Sequence, residues 1–118
     1  MMPDSSMTVN YPSPLDEFTL TIARSSWQRL KGLMGKKTLS PHEGMIFPSC
    51  RKIHTFFMNF PIDVVFLDQT DRVISLFSHV IPWRILPLIS KAHTCIELPA
   101  DTIKQKNIQL GVMISWKK

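Results

Sequence analysis

The sequence predicts an all-β domain, a mainly antiparallel β-sandwich or open barrel with one or two short helices. Three observations carry that reading. Apolar residues recur with the period of a strand in several runs of four to eight residues, such as Phe18-Leu20-Ile22 and Ile62 to Leu67. Turn-forming residues and nine prolines separate these runs at short intervals. A helical period shows clearly in only one stretch, and it is brief. At 118 residues the chain is long enough for one domain with a core of its own.

Residues 1 to 16 are polar, carry Pro3, Pro12 and Pro14 and show no periodicity, so they read as a flexible lead-in to a domain spanning 17–118. Glu17 to Ala23 alternates Phe18, Leu20 and Ile22 with Glu17, Thr19 and Thr21, the pattern of a half-buried strand. The period then changes. In SSWQRLKGLMG, Trp27, Leu30, Leu33 and Met34 draw one apolar stripe; Ser25 or Ser26 supplies a cap and Gly35 a stop. After a polar loop, Gly44 to Phe47 forms a short strand closed by Pro48. The densest apolar run follows, from Cys50 to Asp68, and reads as a central hairpin: a strand from Ile53 to Asn59, a bend at Pro61 and a strand from Ile62 to Leu67. Asp68 to Asp71 is a turn whose Asp side chains bond their own backbone. Arg72 to Val80 returns as its partner strand. Pro82 and Pro87 break the next apolar stretch into a loop. Thr94 to Leu98 is a strand, Asp101 begins a helical turn, and Val112 to Trp116 is the last strand.

The net charge of +5 lies largely in scattered doublets such as Lys36-Lys37, Arg51-Lys52 and Lys117-Lys118. Nucleic-acid binding calls for a continuous basic groove with interleaved aromatics, so this pattern argues against it and for solvated loops. The N-terminus lacks the basic and apolar regions of a signal peptide, and no run reaches the roughly 18 apolar residues of a membrane span. The expected location is therefore the cytoplasm, with Cys50 and Cys95 as reduced thiols.

Pleat parity sorts the groups able to do chemistry. In an extended Cys50 to Met58, the residues Cys50, Lys52, His54, Phe56 and Met58 share one face, and Ile53, Thr55 and Phe57 the other. Ile62, Val64 and Phe66 share a face opposite Asp63, Val65 and Leu67. His93, Cys95 and Glu97 lie opposite Thr94, Ile96 and Leu98. Cys50, His54, Asp63, Cys95 and Glu97 thus form a candidate polar cluster if their strands are neighbours. It has ligand types that zinc accepts, but no paired ligand motif to anchor a metal. It also has the parts of a thiol nucleophile with a histidine base and an orienting carboxylate. The simpler reading has Asp63 and Glu97 bonded to backbone amides or Arg29, both cysteines as small apolar fillers, and Phe56, Phe57, Met58, Phe60 and Phe66 in the core. A second candidate is the apolar loop carrying Trp83, Leu86 and Leu88.

Four ordered blocks carry a resemblance. They are R-x-x-G-L-M (Arg29 to Met34), G-M-I-F (Gly44 to Phe47), I-H-T-F-F-M-N-F-P-I-D-V-V-F-L-D (Ile53 to Asp68) and I-E-L-P-A (Ile96 to Ala100). From about Phe18 onward the chain resembles the bacterial and archaeal family called domain of unknown function 192. The resemblance implies a compact β-sandwich or barrel with a short helix after the first strand, and assigns no activity. Cys50 and His54 match the Cys-x-x-x-His of a subgroup. Asp101 stands where the family usually has the Gly of Ala-Gly-Thr, and Val112 where it usually has the Asp of Gly-Asp. The expected function is a binding or accessory module for a small ligand or a protein partner. The alternative is a hydrolase-like enzyme using the Cys/His/Asp/Glu cluster, with or without zinc.

Overall fold

The computed structural model describes residues 13–24 and 36–116. The expected helix at 25–35 and most of the expected lead-in lie outside the described residues. The strands are β1 (Thr19–Ile22), β2 (Glu43–Pro48), β3 (Ile62–Leu67), β4 (Val73–Val80) and β5 (Thr94–Pro99), followed by one helical turn, α1 (Thr102–Gln105). They form one sheet in the order β1-β2-β5-β3-β4. Only β1 and β2 run parallel; the other three pairings are antiparallel. The fold is all-β in class, and its sheet stays open, with β1 and β4 as its outer strands.

Both faces of this sheet are covered, which is why β3 is buried at every residue. Ile62, Val64 and Phe66 point to one face with Phe47 and Cys95, beneath Ile53, Met58, Leu86 and Ala92. Val65 and Leu67 point to the other with Ile46, Ile96 and Leu98, beneath Leu15, Ile103, Ile108 and Ile114. The alternation read in β3 and β5 therefore matches the two packed faces.

Gly44 permits the close approach of the strands around β2. A Cβ there would lie 2.7 Å from the Glu97 carbonyl oxygen and 3.0 Å from side-chain carbons of Leu20 and Leu98. The carbonyl belongs to the neighbouring strand and cannot rotate away. Gly44→Ala is expected to destabilise the fold by roughly 1–3 kcal/mol, the usual range for overpacking. Urea unfolding measures it, and an unchanged midpoint would show that β2 and β5 part without cost.

Two expected strands are absent. Ile53 to Asn59 forms a single bridge, His54 to Ile85, and ends where Phe57 turns left-handed at φ 63°. Its partner is the proline-broken loop and not β3. Thr55 N–H donates to Arg84 O, Trp83 N–H to Thr55 O, Leu86 N–H to Ile53 O, and Ile89 N–H to Arg51 O. Pro82 precedes the loop's donors and Pro87 falls between Leu86 and Ile89, so the loop pairs despite its prolines. Residues 51–55 and 83–89 thus make a ribbon across the first face, and the hairpin around β3 is instead β3-β4. The expected strand at Val112 to Trp116 is reduced to one bridge between Met113 and Arg72.

Candidate functional site

Asp63 is fully buried on the second face of the sheet, and backbone amides satisfy it. Its Oδ1 accepts from His79 N–H at 2.8 Å and Asp101 N–H at 3.2 Å, and its Oδ2 accepts from Ile103 N–H at 2.8 Å. Each donor has a local cause. Between the pairs Ile62–Val80 and Val64–Phe77, two β4 residues face Asp63 alone, a bulge that frees the His79 amide. Asp101 precedes α1 in a left-handed conformation, φ 73°, and makes no side-chain cap, so the Ile103 amide in the first turn needs an outside acceptor. His79 is left-handed too, at φ 53°. One carboxylate therefore holds a bulge, a tight turn and a helix start together. Aspartate tolerates this left-handed geometry better than most residues.

Glu97 lies on the opposite face. It pairs with Val64 on one side and Met45 on the other, and is almost wholly buried. Burial first, and then Coulombic repulsion from Cys50 as a thiolate, push its carboxyl up to about 8. Cys95 shares this face, and its thiol donates to the Cys50 carbonyl at 3.0 Å. The Cys50 thiol in turn donates to Lys52 O at 3.2 Å. Cys50, Cys95 and Glu97 are thus brought to one face, and Asp63 is separated from them by the sheet. His54 sits on the exposed side of the ribbon, where its Nδ1 accepts from Phe56 N–H. No group of three or more His, Cys, Asp or Glu that could hold a metal ion occurs among the described residues.

The loop candidates divide. Leu86 is buried in the core, whereas Trp83 and Leu88 are exposed. Trp83 does not stand alone. Its ring lies 4.7 Å from that of Phe57 in an edge contact and 5.8 Å from that of Phe56. Phe57 is 61% exposed and Trp83 56%, a reversal of the core position expected for Phe57. Ile81 and Ile85 extend the apolar surface. Trp83 and Phe57 are both left-handed, at φ 66° and 63°.

The residue that sets this geometry is Thr55, whose role pleat parity does not reveal. Its hydroxyl donates to Ile81 O and accepts from Arg84 N–H, both at 2.8 Å. Its carbonyl accepts from Trp83 N–H and Met58 N–H. The signal was available: a lone hydroxyl inside the apolar run I-H-T-F-F-M must find a partner when buried.

Fold and site together define a small β-domain built on one open, two-side-covered sheet, with an aromatic ribbon on its surface. The chain belongs to the family DUF192, described as Uncharacterized ACR, which matches residues 8–116. A UPF0127 protein of Pyrococcus horikoshii is 36% identical over 117 residues, covering 93% of this chain and 98% of that one. A UPF0127 protein of Thermococcus sibiricus is 34% identical over 100 residues, and one of Thermococcus kodakarensis 31% over 99. This chain spans 64% and 62% of the length of those two relatives. Among solved structures, a protein of unknown function from Novosphingobium aromaticivorans superposes with a TM-score of 0.76 at 26% identity, covering 84% of this chain and 75% of that one. One from Sinorhizobium meliloti, described as a putative transcription regulator, has a TM-score of 0.74 at 22% identity, covering 83% and 81%; that likeness concerns the fold.

Proposed function

We propose that this domain is a binding module whose contact surface is the ribbon of residues 51–55 and 83–89 with the flanking residues 56–57 and 81–82. Its partner is a protein segment offering an aromatic or aliphatic anchor flanked by acidic residues. The observation that carries this reading is the pair Phe57 and Trp83, exposed, in ring contact and both in left-handed backbone. Non-glycine residues in that region cost about 1–3 kcal/mol each, and such strain clusters where side chains are presented to ligands. Aromatic residues are also the side chains that most often anchor protein contacts. The two ribbon segments contain Arg51, Lys52 and Arg84 and no acidic residue, which sets the charge of the partner.

Selection from a random peptide library on the immobilised protein tests this. Enriched peptides are expected to combine an apolar anchor with Asp or Glu, and Trp83→Ala is expected to weaken their binding at least tenfold without moving the thermal midpoint. Peptides that bind Trp83→Ala and Phe57→Ala as well as the parent would remove the ribbon from the reading.

The enzymatic alternative retains Cys50, Cys95 and Glu97, which share a face. Stoichiometric zinc in the purified protein, lost on Cys50→Ala, would favour it over the binding module. A cytoplasmic setting suits both readings, because the Cys95 thiol lies against the Cys50 backbone and a reducing compartment keeps the two cysteines unbridged. No helix among the described residues is long and apolar enough to cross a membrane.

A further inference from the structure

At the end of the sheet where β2 and β3 finish and β5 begins, a cleft of about 600 Å³ opens to solvent. Its walls come from Ser49 and Arg51 after β2, Asp68 and Gln69 after β3, and Ser90 to His93 before β5. That volume lies within the range of small-molecule sites, roughly 300–1,000 Å³. We propose that this cleft binds a small phosphate monoester with a hydroxyl-bearing body, such as a phosphorylated sugar or polyol.

The backbone fixes the cleft. Cys50 N–H donates to His93 O and His93 N–H to Leu67 O, which ties the three strand ends side by side. Ile89 N–H donates to Arg51 O and Ala92 N–H to Ile89 O, which folds the loop bearing Ser90 and Lys91 back towards Arg51. Ser49 takes a left-handed φ of 56° in the wall itself.

The side chains then order themselves across the cleft as the strands do, β2-β5-β3. Arg51 follows β2, Lys91 and His93 precede β5, and Asp68 and Gln69 follow β3, so the strand order spaces them along the cleft. Arg51, Lys91 and His93 are exposed, and none of them forms an ion pair among the described residues. A guanidinium fork, an ammonium and an imidazole beside serine hydroxyls are the donors a phosphate takes. Asp68 is engaged by its own turn. Its Oδ1 accepts from Thr70 N–H, the Thr70 hydroxyl and Arg72 N–H. The Thr70 hydroxyl bond and then the Arg72 backbone bond hold its carboxyl below the usual carboxylate range. It therefore stays ionised at the far wall, where it repels a second anionic group and accepts from hydroxyls, as does the Gln69 carbonyl. The charge gradient seats the phosphate against Arg51 and Lys91 and the neutral polyol towards Asp68.

NMR titration of the whole chain with glucose 6-phosphate, inorganic phosphate and glucose distinguishes the outcomes. Glucose 6-phosphate is expected to shift the amides of residues 49–51, 68–69 and 90–93, to bind more tightly than phosphate alone, and to leave glucose without effect at equal concentration. Arg51→Gln with Lys91→Gln should weaken it at least tenfold, while Lys36→Gln with Lys37→Gln, on a distant basic doublet, should change nothing. Shifts spread over all the basic doublets, equal affinity for inorganic phosphate and glucose 6-phosphate, or binding untouched by the Arg51/Lys91 pair would each overturn the proposal. Thermal midpoints of the variants separate lost binding from lost fold, since both side chains are exposed.

Discussion

Asp63→Ala is expected to destabilise the protein by about 3–6 kcal/mol, the largest effect of any single side chain in the fold. The change leaves three backbone amides without their acceptor, and each donor so orphaned costs roughly 1–3 kcal/mol, least for the part-buried amides of His79 and Asp101. The loss spreads to structure as well. Without the carboxylate, neither the left-handed His79 at the β4 bulge nor the left-handed Asp101 before α1 retains the bond that holds it. Asp63→Asn keeps one carbonyl oxygen but turns an amide donor towards either Ile103 N–H or the His79 and Asp101 pair, so it should lie between parent and alanine. Urea unfolding followed by far-ultraviolet circular dichroism measures the series. An alanine variant within about 1 kcal/mol of the parent would mean that water replaces the carboxylate.

The second large effect is a dependence on pH. A carboxyl raised from 4.5 to about 8 on folding keeps its proton in the native protein over a range where the unfolded chain has released it. The stability associated with Glu97 is therefore complete below pH 4.5, declines as pH rises, and is lost once pH passes about 8. The slope of such a group is ~1.4 kcal/mol per pH unit, so the whole change amounts to several kcal/mol. Glu97→Gln keeps the shape without the charge. It should flatten the decline and leave the variant several kcal/mol more stable than the parent at pH 8.5, with little difference at pH 4.5. Unfolding free energies at four pH values across this window test it. An equal slope in both proteins would assign the dependence to another group.

The sequence made the faces of β3 and β5 legible because the alternation of Ile62 to Leu67 and of Thr94 to Leu98 depends only on local pleating. The Asp68 turn was legible for the same reason, its bonds being made within four residues. What parity cannot carry is register between strands. Nothing in the chain states that Asp63 faces Leu98, so whether it shares a face with Glu97 had to wait for the sheet order. The strand read from Ile53 to Asn59 was a different failure. Its alternation holds through Thr55, where Ile53 and Thr55 are buried and Lys52 and His54 exposed, and then breaks at the left-handed Phe57. An exposed phenylalanine beside a tryptophan 26 residues away cannot be told from core by composition. The phosphate cleft was hidden similarly: Arg51 and Lys91 look like ordinary solvated residues until the Cys50–His93 bond brings their segments together.

The strand order has a consequence for how the protein is made. Because β5 lies between β2 and β3, the two earlier strands have no bond to each other before it arrives. Until β5 has emerged, the β1-β2 pair and the β3-β4 hairpin each lack the strand that joins them, and the edges of β2 and β3 that will pair with it stay open. The Asp63 carboxylate waits even longer, for the amides of residues 101 and 103. The sheet therefore closes only when β5 joins its two halves, and the chain is most exposed to aggregation while they wait for it.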